Sequence, residues 1–213
     1  MDARADYYLL LIDIRGSTRL AMPKARQLME KLEVELRRIN RTLKPKPVLG
    51  LSMSYGDEVA GLFTTPARLF DVVMAVRNVL HPGVGLRFAV TRGKIAVSSK
   101  DIRKVGGEVF KKANEAMQRI KKRNRFCCWL LGEPIFDAVL TSLVEMSNAL
   151  LEDMTQYQRE VFILLEQGFA QKIVARKLKK HPQSVSDAVK RSKAGIVLDA
   201  HRAIRDLLLR LKQ

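Results

Sequence analysis

Residues 183–191 carry side chains that can contact both the bases and the backbone of DNA. Ala175 precedes Val185 by ten residues, and Ala188 follows Val185 by three. This spacing is typical of a helix-turn-helix, in which a small residue lets two helices cross closely and two apolar residues anchor the second helix. The outward residues of that second helix are then Gln183, Ser184, Ser186, Asp187, Lys190 and Arg191. We expect the residues at the N-terminal end of this helix to meet base edges in the major groove. Lys190 and Arg191 are expected to contact phosphate.

Three helices are predicted around this pattern. Thr155-Gln-Tyr-Gln158 has the form of a capping box, and Gly168 is a typical end for the helix that follows it. A second helix is predicted near 170–179, and Pro182 suits the first turn of the third. The stretch 158–191 resembles the helix-turn-helix regions of bacterial sigma-factor-like and response-regulator proteins. It departs from them at Lys179, which stands where the turn usually has glycine, and an ordinary three-helix bundle with a basic surface is the alternative.

The last predicted helix has a short apolar seam. Its members recur at spacings of three and four residues and are Val197, Ala200, Ile204, Leu207 and Leu211. The seam spans only about two heptads, which is too short for a coiled coil. It predicts either a homodimer that reads paired half-sites or a helix that packs back onto its own domain.

The charge of the chain favours a polyanionic partner. The 213 residues include 39 Lys and Arg against 22 Asp and Glu, a net charge of +17. From residue 155 onward there are 13 basic and 5 acidic residues, so +8 falls on that tail and +9 on the first 154 residues. The tail is therefore about twice as basic per residue, as expected of a nucleic-acid-binding segment. A generally basic, solvated surface, an RNA-binding protein or a scaffold would also account for the charge.

Composition also excludes some classes of protein. No segment approaches 18 consecutive apolar residues, so we expect no membrane span, and the acidic start of the chain does not suit a signal peptide. These features predict a cytoplasmic protein. Cys127 and Cys128 are adjacent in an apolar stretch, where they are poorly placed for a disulfide and match no metal spacing. We interpret them as part of a buried strand.

The first half of the chain alternates predicted strands and helices. Strands are predicted at 7–14, in the two halves of 51–63, and at 86–90, with a hairpin turn at Gly56-Asp57. Helices are predicted from Pro23 to Thr42 and after Thr65-Pro66. The resulting order, β-α-β-β-α-β, is that of a ferredoxin-like fold. A further helix at 107–122 and a strand at 126–131 would extend it.

Two acidic motifs within this order resemble those of known enzymes. Asp13-Ile-Arg-Gly16 ends the first strand, and Tyr55-Gly-Asp-Glu58 forms the hairpin. Together they are similar to the palm domain shared by class III nucleotide cyclases and GGDEF cyclases. The resemblance implies that Asp13, Asp57 and Glu58 hold Mg²⁺ or Mn²⁺ against a nucleoside triphosphate. Two carboxylates on adjacent strands would indeed repel unless a cation lay between them. The alternatives are a vestigial pair that binds a nucleotide or metal without turnover and a structural pair that binds no ligand.

The resemblance extends to a nucleotide site. The turn after the first strand, Gly16, Ser17 and Thr18, would lie beside the phosphates. The cyclases carry an asparagine and an arginine on the helix after the fourth strand, and here Lys111 and Lys112 stand in that region as candidate phosphate contacts. Gly106-Gly107 looks like a GGDEF box but is expected to open a helix, where the motif lacks its hairpin context.

Residues 7–122 resemble the SatD family more closely, and the resemblance continues through the C-terminal helix-turn-helix. Its matching segments begin at Gly56, Arg87 and Gly107. We therefore expect an α+β protein with a ferredoxin-like, cyclase-like or palm-like domain at 1–150 and an all-α helix-turn-helix domain at 151–213. The favoured function is a DNA-binding regulator whose first domain senses a nucleotide or a metal ion, with double-stranded DNA as partner. The alternative is a Mg²⁺- or Mn²⁺-dependent nucleotidyl cyclase or transferase.

Overall fold

The computed structural model describes residues 2, 4–16, 21–54, 56–81, 84–96 and 99–211. The chain divides into two compact units, one formed by Met1–Thr141 with Arg205–Gln213 and the other by Ser142–Ile204. The division falls inside a helix, Pro134–Glu152, and the predicted domain boundary at residue 150 lies in the same helix. The fold is α+β, with a mixed five-stranded sheet in the first unit.

The sheet is built on its first strand. Its strands are β1 (Tyr7–Arg15), β2 (Leu49–Met53), β3 (Glu58–Phe63), β4 (Gly85–Gly93) and β5 (Cys127–Leu130). They lie in the order β2-β3-β1-β4-β5, antiparallel except for the parallel pair β4–β5. β1 is central, and its residues from Tyr7 to Ile14 are all buried. Such burial on both faces explains why this strand has a continuous apolar run instead of an alternating one.

Three helices of the first unit connect these strands. They are α1 (Met22–Thr42), α2 (Leu69–Leu80) and α3 (Glu108–Lys122). α3 packs on the sheet face formed by alternate residues of β1, among them Leu9 and Leu11, and its own buried residues include Ala113 and Ile120. Because side chains alternate along a strand, Asp13 points to the same face as Leu9 and Leu11. The position of α3 therefore decides what lies over Asp13.

Gly107 makes the close approach of α3 possible. It precedes the helix with a φ of +124°, and a Cβ atom there would come within 2.5 Å of the backbone nitrogen of Ala96. Only glycine tolerates both conditions. The Gly106-Gly107 pair thus opens a helix, as the sequence predicts.

The remaining helices are α4 (Pro134–Glu152), α5 (Gln156–Glu166), α6 (Gln171–Leu178), α7 (Pro182–Arg191) and α8 (Ala194–Arg210). The capping box at the start of α5 is present: Gln158 N donates to Thr155 Oγ1 at 3.3 Å, and Thr155 N donates to Gln158 Oε1 at 2.9 Å. Within the second unit, the buried core of α5, α6 and α7 consists of Val161, Val174, Ala175, Val185 and Ala188. Three of these, Ala175, Val185 and Ala188, are the residues whose spacing predicts the helix-turn-helix.

Two expectations about helices need correction. Thr65-Pro66 does not begin a helix: Thr65 Oγ1 accepts from Ala67 N in a turn, and α2 starts at Leu69. The prediction also omits α4. Among the described residues, α4 is the one helix long and apolar enough to cross a membrane by length and composition, with a mean hydropathy of 1.2. A single helix of this kind is weak evidence, because the core helix of a globular domain meets the same criterion.

Candidate functional site

Asp13 lies in the middle of a row of charged residues across three strands. The β1–β3 register places Glu58 directly opposite Asp13, and the β1–β4 register places Arg87 opposite it on the other side. Residues directly opposite in antiparallel strands point to the same face, so the three side chains lie side by side beneath α3. We call Glu58, Asp13 and Arg87 the charged row.

Both carboxylate oxygens of Asp13 have a basic partner. Lys121, in the last turn of α3, places its Nζ 2.5 Å from Asp13 Oδ1. Arg87 Nε lies 3.2 Å from Oδ2, close enough for an ion pair although the N–H is not aligned for a hydrogen bond. Asp13 itself is only 7% exposed. The carboxylate is therefore buried and neutralised by two cations of its own chain.

Glu58 and Asp57 complete the acidic side of the row. Burial raises the pKa of Glu58; the charge of Lys121 opposes that rise, and the neighbouring carboxylates of Asp13 and Asp57 add to it. Asp57 is held by its backbone, because its carbonyl oxygen accepts from Ile14 N at 3.1 Å. Its position next to the row follows from the turn at Gly56, which has a φ of +60°. The structure thus brings together the three residues predicted to hold a metal.

The arrangement differs from an acidic metal site in two respects, which are the number of ligands that converge and the position of the cations. In the part of the chain that the structure describes, no group of three His, Cys, Asp or Glu side chains could hold a metal ion. A divalent ion at Asp13 would have to displace the ammonium of Lys121 from Oδ1 and approach a second cation, the Arg87 guanidinium. Mg²⁺ and Mn²⁺ bind to oxygen ligands, and nearby positive charges oppose their binding. As they stand, these residues fit a cation supplied by the protein and do not fit a divalent metal.

The predicted nucleotide contacts are not all near the charged row. Gly16 directly follows β1 with a φ of +80°, whereas Ser17 and Thr18 lie outside the described residues. Lys111 and Lys112 lie in the first turns of α3, about 15 Å along the helix from Lys121 at a rise of about 1.5 Å per residue. Lys112 pairs with Glu108, Nζ to Oε1 at 2.7 Å. The C-terminal end of α3 therefore reaches Asp13, whereas the predicted phosphate contacts lie at its N-terminal end.

Sequence reasoning missed Arg87 and Lys121. Arg87 is a single charge in the apolar segment Leu86-Arg-Phe-Ala-Val90, and a buried-strand pattern interrupted in this way is a usable signal. Lys121 lies one residue beyond Ile120, the last buried residue of α3, which gives no distinctive pattern. Its role becomes visible only when the register of α3 on the sheet is known.

In the second unit, a short turn at Lys179 joins α6 to α7. Lys179 ends α6 in the left-handed conformation, with φ 52° and ψ 45°, which glycine usually adopts. The N–H of Lys180 donates to the carbonyl of Ala175 at 2.9 Å, which closes the helix end. Replacing the usual glycine by lysine therefore strains the turn without altering it. His181 then caps α7, its Nδ1 accepting from Gln183 N at 3.3 Å.

The predicted contact residues share the outer face of α7. Val185 and Ala188 are buried, and the other side of the helix presents Gln183, Ser184, Lys190 and Arg191 as exposed residues and Ser186 and Asp187 as half-buried ones. Gln183 Nε2 donates to Asp187 Oδ1 at 3.0 Å. This contact fixes the amide near the start of the helix, with its oxygen directed away from Asp187.

The surface around α7 is strongly basic. Residues 167–198 include one acidic residue, Asp187, against eight basic ones, a net charge of +7. All eight are exposed: Lys172, Arg176, Lys177, Lys179, Lys180, Lys190, Arg191 and Lys193. We call this set the basic surface. Within the described residues, no ion pair joins any of its members to a carboxylate.

Two further groups in the second unit were not predicted. His201 is fully buried, with Nδ1 2.5 Å from Glu166 Oε1 and Nε2 2.7 Å from Ser147 Oγ. The arrangement has the order of a catalytic triad, but Ser147 is 3% exposed, so a substrate has no access to it. We interpret this group as a structural polar network of the unit. Arg159 is buried beside it, where burial lowers its pKa against the opposing charges of Glu152 and Glu166.

The apolar seam of α8 is partly used within the chain. Val197 belongs to a buried cluster with Leu151, Met154, Phe162 and Ala194. Ile204 is also buried, whereas Leu207 and Leu211 are half-buried. At Val197 and Ile204, therefore, the seam is not available as a dimer face.

The sequence profile of the SatD family matches residues 7–208. No curated protein matches the chain in sequence. Among solved structures, a bacterial light-regulated adenylyl cyclase is 11% identical, with a TM-score of 0.39, covering 59% of this chain and 75% of that one. A second structure of a bacterial light-regulated adenylyl cyclase has a TM-score of 0.37 at 11% identity, covering 59% of this chain and 43% of that one. A regulator of polyketide synthase expression from Bifidobacterium adolescentis is 14% identical with a TM-score of 0.24, covering 98% and 88%. Likenesses of this size carry no conclusion about function.

Proposed function

The chain belongs to the SatD family, and we propose that it is a DNA-binding regulator that contacts duplex DNA through the basic surface around α7. In this proposal α5, α6 and α7 form a helix-turn-helix, and α7 enters the major groove. The first unit, which we propose to be a cyclase-like ferredoxin fold, senses a nucleotide. Homodimers would place two copies of α7 on paired half-sites.

The observation that carries the proposal is the charge of the basic surface. Eight exposed cations surround a helix whose outer face is polar, and a single acid, Asp187, lies among them. Their mutual repulsion is relieved by a polyanion, and each phosphate that they neutralise releases counterions from DNA. Asp187 is itself engaged by Gln183, which reduces its repulsion of the phosphates.

The division of roles along α7 follows from its orientation. Gln183 and Ser184 are exposed at its N-terminus, the end that meets base edges when such a helix enters the groove. Lys190 and Arg191 are exposed at its C-terminal end and have no base-reading geometry of their own, so we assign them to the DNA backbone. Affinity and sequence preference should therefore respond to different substitutions.

The experiment measures both quantities on the full chain. Fluorescence anisotropy with labelled duplexes gives affinity, and selection from a random duplex pool gives preference. Lys190→Ala with Arg191→Ala should weaken binding to all sequences alike, whereas Gln183→Ala should change the selected sequence. Arg26→Ala, which removes an exposed cation of α1 paired with Glu30, is the matched control and should change neither. Equal loss in the control, or tighter binding to RNA than to duplex DNA, would contradict the proposal.

The metal-dependent cyclase or nucleotidyl transferase is the less favoured candidate. Its supporting observation is the meeting of Asp13, Asp57 and Glu58 at one edge of the sheet. Against it stands the double pairing of Asp13 with Lys121 and Arg87. Release of pyrophosphate from any nucleoside triphosphate with Mg²⁺ or Mn²⁺, abolished in Asp13→Ala, would make it the better account.

A further inference from the structure

The charged row contains its own cation at the position where a cyclase-like site would need a metal. Lys121 Nζ lies 2.5 Å from Asp13 Oδ1, well within ion-pair distance. Its helix is fixed on the sheet by buried residues in the preceding turn, Met117 and Ile120. The ammonium is therefore directed at Asp13 by the packing of α3 and does not depend on a flexible loop.

Two cations of the chain already lie among the acidic residues of the row. Asp13, Asp57 and Glu58 supply three carboxyl groups, and Lys121 and Arg87 supply two positive charges within the same cluster. The registers that place Glu58 and Arg87 on either side of Asp13 leave the open side of the carboxylate to Lys121. A divalent ion at Asp13 would therefore lie close to two cations of the chain itself.

We propose that Lys121 takes the place of a divalent metal in the charged row, so that the first unit works without Mg²⁺ or Mn²⁺ at Asp13. The ammonium screens Asp13 from Glu58 and Asp57, which is the role that a bound cation would otherwise have. Removing the ammonium leaves the neighbouring carboxylates of Asp13 and Glu58 without it, and one or two carboxylates with water are enough to bind a divalent ion. We therefore expect the removal to create a divalent site that the natural chain lacks. This inference concerns the first unit alone and is independent of DNA binding by α7.

The test is Mn²⁺ binding to the full chain, followed by the electron paramagnetic resonance signal of free Mn²⁺. The wild-type protein should show no saturable site below about 1 mM. Lys121→Met keeps the length of the side chain and removes its charge, and it should bind Mn²⁺ at least tenfold more tightly. Lys122→Met removes the neighbouring exposed lysine and should behave like the wild type. Asp13→Asn combined with Lys121→Met should lose the new site.

The emission of Trp129, which is 1% exposed in β5 of the same unit, reports whether each variant remains folded. A wild-type chain that binds Mn²⁺ at micromolar concentration, and loses it in Asp13→Asn, would overturn the proposal. So would a folded Lys121→Met that gains no affinity. If Lys121→Met does not fold, Mn²⁺ binding by the wild-type chain alone decides whether the proposal stands.

Discussion

Replacing Asp13 by asparagine should destabilise the first unit far more than the same change at Asp6. Each aspartate pairs with an arginine at the same distance, since Asp13 Oδ2 to Arg87 Nε and Asp6 Oδ2 to Arg92 Nε are both 3.2 Å. Asp13 has Lys121 as a second cation, whereas the Asp6 pair is also a hydrogen bond. They differ in burial: the side chains are 11% and 18% exposed in the first pair, and 40% and 33% in the second. The comparison therefore sets a buried carboxylate with two basic partners against an exposed one that pairs with arginine at the same distance.

The magnitude follows from what each substitution leaves behind. Removing one partner of a buried pair costs about 3 to 5 kcal/mol, because the other charge stays buried without compensation. Lys121 is 44% exposed and can turn to solvent, whereas Arg87 cannot, so we expect a value of about 3 kcal/mol for Asp13→Asn. An exposed pair contributes about 1 kcal/mol or less, which sets the expectation for Asp6→Asn.

Urea unfolding followed by Trp129 emission measures both costs. Trp129 is the single tryptophan of the chain and lies in the first unit, so its signal reports that unit. With a slope of about 2 kcal/mol per molar urea, Asp13→Asn should lower the midpoint by about 1.5 M and Asp6→Asn by about 0.5 M or less. Equal shifts in the two variants would refute the reasoning, because burial would then make no difference.

Three other substitutions test separate parts of the account. Burial raises the pKa of Glu58 in the folded state, so its ionisation lowers stability as the pH rises from the ordinary pKa of 4.5 to the raised one. Glu58→Gln should therefore raise the urea midpoint at pH 7, and the gain should shrink as the pH falls towards 4.5. Lys179→Gly should stabilise α6 and α7 by about 0.5 kcal/mol, and Lys179→Val should destabilise them by more than about 1 kcal/mol, both measured by amide hydrogen exchange. His201→Phe leaves Glu166 and Ser147 without their buried partner and should cost the second unit about 3 kcal/mol by the same method. The account of Glu58 would be contradicted if the effect of Glu58→Gln did not change with pH. The accounts of the α6–α7 turn and of the buried polar network would be contradicted if Lys179→Val were stabilising or His201→Phe left stability unchanged.

Much of the fold is predictable because its elements bury one recognisable face. The period of 3.6 residues in α1 indicates one buried face, on which Leu32, Leu36 and Ile39 lie, and the apolar run of β1 predicts a strand, which the structure shows to be buried. α4 was missed for the opposite reason: apolar residues lie on its exposed side as well, including Ile135, Val139 and Met146, which hides any helical period. Local patterns therefore fail where, as in α4, the exposed side of an element is apolar as well.

The candidate sites divide in a similar way. The core of α5, α6 and α7 is predictable from a local spacing, because Ala175, Val185 and Ala188 lie close in sequence. The charged row cannot be predicted from a local spacing, because Arg87 and Lys121 lie 74 and 108 residues after Asp13 in the chain. The need for a cation between Asp13 and its acidic neighbours was foreseeable from electrostatics. The residue that supplies this cation was not foreseeable, because only strand register and helix packing place the ammonium of Lys121 beside Asp13.

The most direct test of the central claim is the salt dependence of duplex DNA binding by the wild-type chain. Each phosphate neutralised adds about −0.9 to the slope of log K against log salt concentration. If five to eight cations of the basic surface contact the backbone, the slope should lie between about −4 and −7. A slope in that range, made less negative by about 2 in Lys190→Ala with Arg191→Ala, is the predicted result. Absence of binding at low salt, or binding whose slope is unchanged by that double substitution, would contradict it.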